Sequence, residues 1–589
     1  MKNRPLIYSL VLIFLFLSLA VSACGGSETP PVEPQAPAEN AEATPVPEKV
    51  AATAVDDGNG GEGGSAEQQA ATADPEKPAA PAVPANNGSA ADLGFRPDQN
   101  GFSFENYGGG DEANLDETDM TRVFGDVICA NKVDGKCTLI PPADQWMQEM
   151  NSAMAGGHCY GMAQASLLFY QGKLNPSDFG APSINQLKLE GNDKLQHEIA
   201  FDWVAQALDK VTQGEIKGTP NEVLDKIIEA FKNGKTGEVY VAGFYKSDGS
   251  GGHAVTPYVV EDRGDGKFAL MVYDNNYPGQ AREVIFDRNA NTWSYEASTN
   301  PQVESELYTG DAETKTFSFA PVSPSLQVSP CTFCQGGGTS GKSLGHAQIA
   351  EGMNEVYLDG PADLLIKDDN GKRLGRVDGK IVNEIPGASY EVFMTGFKSE
   401  QEPVYSIPVS VNLNITVDGS NLKNEAVTDV VVIGPGYDLG VEGITLSPGQ
   451  VDEITVMTRD DLISYTTESS ETPNFILGLE RKGVYYEFEL KGTKIEGGGS
   501  INLSVDPNTG DLLVNADQLK KDGEFTLSMT RIDDKTEETF VSDKIKLTAS
   551  AVLYVDFSEW KGNNSPVYMG IDTNGDGTIE EEYSAEDEG

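Results

Sequence analysis

Two apolar runs separated by a short polar stretch constrain this chain more than any other feature. Ala254 to Val260 is apolar, Glu261 to Lys267 is polar and turn-forming, and Phe268 to Tyr273 is apolar again. That pattern predicts an antiparallel hairpin. His253 stands at the head of the first run and Asp274 directly follows the second. If His253 pairs with Asp274 across the hairpin, Val255 faces Val272, Pro257 faces Leu270 and Val259 faces Phe268. Every one of those pairs is apolar, so the register that joins His253 to Asp274 also puts both on the buried face. A slip of one residue would send them to opposite faces. The natural turn, Asp265-Gly266, sits slightly off the centre of this register.

An imidazole with a carboxylate partner is the base half of a nucleophile–base–orienter set. The candidate nucleophile is Cys159, in Gly156-Gly157-His158-Cys159-Tyr160-Gly161-Met162-Ala163. The two glycines permit a tight turn and close approach of a substrate backbone. A helix is predicted from Cys159 to Tyr170, with Met162, Ala163, Ser166, Leu167 and Tyr170 on one face. A helix N-terminus favours a thiolate, and its free N–H groups can bind an oxyanion. The competing reading makes Cys159 a buried helix cysteine and His253 a satisfied strand histidine. Glycines before both residues and the coherent hairpin register argue for chemistry. His158 and His197 read as structural or surface residues.

The order of Cys on a helix N-terminus, His on a strand and Asp at the end of the next strand resembles the papain-like cysteine peptidases, over roughly Gln145 to Asp287. The resemblance implies an α+β papain-like catalytic domain with Cys159 as nucleophile, His253 as general base and acid, and Asp274 as orienting residue. It implies no cofactor for catalysis. Where the family has a tryptophan after the nucleophile, this chain has Tyr160-Gly161. Where the family has an oxyanion-hole glutamine, it has Ala153, with Gln148 and Asn151 as nearby substitutes. Asn275 can take the place of Asp274 if the strand ends one residue later. The same order, with Gly252-His253-Ala254 before a strand ending in aspartate, also resembles the transglutaminase-like branch of this fold. Water resolves the acyl-enzyme in a peptidase and an amine resolves it in a transferase. A reading from another class is a surface binding protein whose thiol domain has lost activity.

The flanking sequence sets the compartment. Lys2 and Arg4 precede an apolar run, Leu6 to Val21, which ends Val21-Ser22-Ala23-Cys24. Small residues directly before a cysteine resemble the bacterial lipobox. That implies a signal peptide over 1–23, lipidation of Cys24 and an extracytoplasmic place on the bacterial cell envelope. The alternative is an ordinary signal peptide with a chance cysteine. Residues 24–92 are rich in Pro, Ala, Glu and Gly and read as a disordered tether.

The catalytic domain is expected over 93–323, with further helices from His197 to Val211 and from the capping box Thr219-Pro220-Asn221-Glu222, then a strand from Glu238 to Tyr245. A Cys/Gly-rich linker, 324–349, leads to two β-sandwich modules, 350–418 and 424–589, with strands such as Val484 to Leu490 and Gly523 to Ile532. Within the first, Leu364 to Ala388 resembles a sandwich module recurring in bacterial surface proteins, which implies a spacing role. Acidic residues outnumber basic ones 92 to 42, a net charge of −50, which excludes nucleic acid and anionic headgroups as partners. The partners left are a peptide or protein substrate and, through the lipid, a membrane.

In an oxidising compartment Cys129 is expected to pair with Cys137, and Cys331 with Cys334. That leaves Cys159 unpaired apart from Cys24. Alternatives for Cys331 and Cys334 are a redox pair or a metal site with His346. Near the C-terminus, Asp572, Asn574, Asp576 and Thr578 fall at the alternating positions of a calcium loop. Tyr583 stands where that loop expects its last glutamate, so Glu582 is taken as the ligand, with Glu580 as the alternative.

Overall fold

The computed structural model describes residues 88–109, 112–298, 305–334, 352–396, 402–457, 462–506, 509–516, 518–562 and 565–588. The signal segment, Cys24, nearly all of the tether and His346 lie outside them. Strands hold 42% of the chain and helices 19%, so sheets supply most of the core. The described residues belong to one compact unit. Among them no helix is long and apolar enough to cross a membrane.

Residues 88–334 place helices against an eight-stranded antiparallel sheet. Its strands run, in spatial order, Phe317–Pro321, Tyr240–Phe244, His253–Gly264, Lys267–Tyr273, Ala281–Asp287, Thr292–Ala297 and Glu306–Gly310. Ser89–Asp92 adds to the far half of His253–Gly264, so the expected tether gives way to the sheet a few residues early. Ala91 is buried there, which no free tether residue would be.

The Cys159–Gln171 helix is buried from Cys159 through Phe169 and ends at Gly172, whose left-handed φ of 75° closes the last turn. It lies across the His253–Gly264 strand: Thr256 Oγ1 meets Ser166 Oγ at 2.9 Å and donates to the Ala163 carbonyl at 3.2 Å. The helix expected from His197 to Val211 is instead Asp193–Trp203, a short 3-10 turn at Val204–Ala207, and Asp209–Thr212. Leu208 breaks it by taking extended angles and burying its side chain. The capping box forms as read, and opens the helix Pro220–Phe231.

The hairpin differs from its expected register in an instructive way. Thr256 faces Tyr273, Pro257 faces Val272, Val259 faces Met271 and Val260 faces Leu270, with irregularities after Pro257 and Asp262. Relative to the expected pairing, the register at the His253 end has slipped by two residues. A shift of two preserves the face, so His253 and Asp274 still meet diagonally. The bulges bring Asp265-Gly266 to the centre of the turn, with left-handed φ of 51° and 78°. Moreover, His253 to Val260 is buried on both faces, because the helices cover one side of the sheet and other packed elements the second.

The two β stretches expected as separate modules share their sheets. Met353–Asp359 pairs with Ala426–Gly434, and Leu413–Asp418 pairs with Val451–Met457. One nine-stranded and one eleven-stranded antiparallel sheet result, packed on a single core that runs from Val356 to Ala585. From residue 426 onward, successive hairpins alternate between the sheets. Strands such as Val451–Met457 bury every second residue, as a sandwich requires. A break near 418–424 fails because strands on either side of it are direct hydrogen-bonded neighbours and share one core. This sandwich also abuts the first part of the chain: Tyr357, Phe393, Met394, Val431 and Ile433 join its core.

Candidate functional site

Cys159 opens its helix, His253 opens its strand and Asp274 follows the next strand; all three are fully buried. His253 Nε2 lies 2.9 Å from Asp274 Oδ1. The Tyr295 hydroxyl donates to Asp274 Oδ2 at 2.7 Å, and the Asn276 N–H donates to Oδ1 at 2.9 Å. Burial opposes charge on Asp274, but His253, Tyr295 and Asn276 hold its pKa below the ordinary carboxylate value. Burial also opposes charge on the imidazole. The Asp274 carboxylate and the neighbouring Cys159 sulfur outweigh it and push the His253 pKa up to about 10. Among the described residues the other ring nitrogen, Nδ1, makes no hydrogen bond of ordinary geometry, and the side chain acting on the imidazole besides Asp274 is Cys159. Cys159 is the one free thiol among the described residues.

Asn275 does not replace Asp274. Its amide donates to the carbonyls of Cys159 and Ala254 at 2.9 and 3.0 Å, tying the helix start to the strand start. The expected oxyanion substitutes are turned elsewhere. Gln148 donates to Asp144, and Asn151 exchanges bonds with the Leu115 backbone. The amide bonded at the start of the Cys159 helix is Asn106, which sequence reasoning missed. Its Oδ1 accepts from the His158 N–H at 2.9 Å, and its Nδ2 donates to the Thr395 carbonyl at 3.2 Å. Close backbone approach puts it there, since a Cβ on Gly108 would lie 2.9 Å from the Gly157 nitrogen. Tyr295 was missed too, and no local signal marks either residue.

His158 is structural: it stacks on Tyr107 at 4.1 Å, and its nitrogens meet the Tyr107 carbonyl and Asn114. Burial pushes its pKa down to about 4, so it is neutral. His197 pairs with Asp119 at the surface. Gly161 occupies the place of an expected tryptophan because the Ile199 carbonyl would lie 2.1 Å from any Cβ there. Gly161→Ala should therefore destabilise the fold by about 3 kcal/mol or more, read by urea unfolding.

Cys129–Cys137 and Cys331–Cys334 are disulfides, as expected, so Cys331 and Cys334 offer no free sulfur to a metal. In the acidic loop, carboxylate oxygens of Asp572, Asp576 and Glu580 lie within 4.8 Å of one another. Asp572 organises the turn, accepting from the N–H groups of Gly575 at 2.7 Å and Gly577 at 2.6 Å. Asn574 and Thr578 lie in the same turn, as read. Glu580, not Glu582, closes it: Glu582 sits in the strand Glu581–Ala585 opposite Gly570. A second cluster, Asp116, Asp119 and His197, is already occupied by the cap of the Glu117–Phe124 helix and by Arg122.

No family model matches this chain, and neither a curated protein nor a solved structure matches it.

Proposed function

We propose that this chain is a thiol hydrolase of papain-like α+β type, anchored to a bacterial envelope through Cys24, that cleaves peptide or isopeptide bonds. The observation that carries the reading is the buried His253–Asp274 pair with the Cys159 sulfur beside the imidazole. A histidine held protonated to high pH and a neighbouring thiol form a thiolate–imidazolium pair. The thiolate attacks the substrate carbonyl, forming a C–S bond. The Cys159 N–H at the helix start and the Asn106 amide stabilise the oxyanion. His253 gives its proton to the leaving amine as the C–N bond breaks. Water then gives a proton to His253 and attacks the thioester, releasing a carboxylate and restoring Cys159. Asp274 holds the imidazole by Nε2 throughout, and Tyr295 holds Asp274.

The test is the rate of Cys159 alkylation by iodoacetamide across pH, with the modified residue located by peptide mapping. A plateau that extends below the ordinary thiol range of about 8.5 and disappears in His253→Ala supports the reading. A single titration near that value in both chains would sink it. Amine transfer by the same residues is distinguished by supplying a primary amine and looking for the amide.

The acidic loop is proposed to hold structural calcium, with Asp572, Asp576 and Glu580 as side-chain ligands. Calcium at about 100 times its dissociation constant should stabilise the fold by about 2.7 kcal/mol. Calorimetry with and without calcium should show this gain in the parent chain and not in Asp572→Asn. An equal gain in both would remove the proposal.

A further inference from the structure

The segment Val392–Gly396 leaves the β-sandwich after the strand Ser389–Glu391, adopts no regular structure and packs against the glycines that flank Cys159 and His253. Its backbone is held by side chains of the preceding part of the chain. The Tyr245 hydroxyl donates to the Val392 carbonyl at 2.8 Å. Gln206 accepts from the Met394 N–H at 2.7 Å and donates to the Met394 carbonyl at 3.4 Å. Asn106 donates to the Thr395 carbonyl at 3.2 Å. Four main-chain groups on three residues are thus read by the buried Asn106 and Gln206 and the half-buried Tyr245, in a way indifferent to the sequence they hold.

The side chains fill the space left by glycines around Cys159 and His253. A Cβ on Gly243 would lie 2.2 Å from Met394 Cε, and one on Gly156 would lie 3.1 Å from Thr395 Cβ. A Cβ on Gly252, just before His253, would lie 3.3 Å from the Phe393 carbonyl. The Phe393 ring meets Trp203 edge-on at 5.2 Å. With the segment in place Phe393, Met394 and Thr395 are 8%, 4% and 1% exposed, and Cys159 is 0% exposed. Buried main-chain groups need partners anywhere. Here a single amide serves both the N–H and the C=O of Met394, the arrangement by which a cleft holds extended polypeptide.

We propose that Val392–Gly396 is a built-in pseudosubstrate: it occupies the cleft in which the enzyme takes an extended polypeptide substrate, and it must leave before Cys159 can act. This rests on the thiol-hydrolase reading and adds to it. Substrates are held by backbone through Gln206, Asn106 and Tyr245, with an aromatic side chain against Trp203 and a slender one over Gly243. The latent chain is switched on by displacement of the strap.

The experiment compares Cys159 alkylation in the full chain with that in Phe393→Ala/Met394→Ala, and separately in Gln206→Leu, which loosens the strap from the cleft side. Near-ultraviolet circular dichroism reports whether each variant is folded. Alkylation should rise by at least about tenfold in a folded variant, because labelling follows local opening. A synthetic peptide spanning residues 390–396, added to the Phe393→Ala/Met394→Ala chain, whose cleft is intact, should slow it again. Unchanged labelling in the folded variants, or labelling that the peptide does not slow, overturns the proposal. Each variant is also made with His253→Ala. Peptide protection that survives there while the fast pH plateau is absent from every variant keeps the strap and removes the hydrolase. A His253-dependent plateau in the parent chain, equally fast in all variants, keeps the hydrolase and removes the strap.

Discussion

Replacing Cys159 by alanine is expected to lower hydrolysis of a mixed peptide library by at least about ten-thousand-fold while leaving the chain folded. The loss is so large because the proposed acyl intermediate forms on Cys159, the free thiol among the described residues. The structural effect should be small. The substitution removes one buried sulfur from a helix start and leaves no charge unpaired, at a stability loss of about 1 kcal/mol. The measurement is best made in the Phe393→Ala/Met394→Ala background, where the thiol is uncovered. Its His253 pKa should also fall, because the sulfur is one of the groups that raise it. A folded Cys159→Ala chain with undiminished hydrolysis would end the thiol mechanism. Loss of the fold would mark the cysteine as structural.

Asp274→Ala should produce the largest stability loss of any single change in the site. It strands the imidazole at 2.9 Å, the Tyr295 hydroxyl at 2.7 Å and the Asn276 N–H at 2.9 Å, all in full burial. Removing one partner of a buried ion pair costs about 3–5 kcal/mol. The effect has a defined pH dependence. The folded pKa of His253, about 10, lies above its unfolded value of about 6.5. Its contribution is therefore complete below about pH 6.5 and is lost as pH climbs through about 10. Asp274 is displaced the other way, below its unfolded value of about 3.9. Its contribution is complete above about pH 4 and is lost as pH falls through the lower folded value. Urea unfolding should thus show the widest gap between parent and Asp274→Ala near about pH 5.5, narrowing from about pH 6.5 to about pH 10. A gap that does not change with pH would mean the pair is not ionised in the fold.

The pairing of His253 with Asp274 was legible because strand alternation is a local rule. Two apolar runs and a turn dipeptide restrict the possible partners, and an error of two residues in register leaves the face unchanged. The helix starting at Cys159, the capping box at Thr219 and both disulfides were legible for the same reason. Each depends on neighbours close in the chain. In the acidic loop the ligand spacing was local, but the choice of Glu580 over Glu582 was not. It follows from the strand that begins at Glu581 and pairs with Val567–Asp572.

What only the tertiary structure decided involves groups distant in sequence. Asn106 reaches the start of the Cys159 helix because Gly108 and Gly157 let two backbones touch. Tyr295 reaches Asp274 because the sheet order brings its strand within reach. The sandwich is continuous through 418–424 because strands from both sides share ladders, and no single-strand pattern reveals which sheet a strand joins. Most of all, Val392–Gly396 reads in sequence as an ordinary β-rich segment. Its seat over Cys159 arises from hydrogen bonds to Tyr245, Gln206 and Asn106, and sequence alone carries no trace of them. Local periodicity thus determined which residues could form the thiol site, and long-range packing decided what surrounds it and what lies across it.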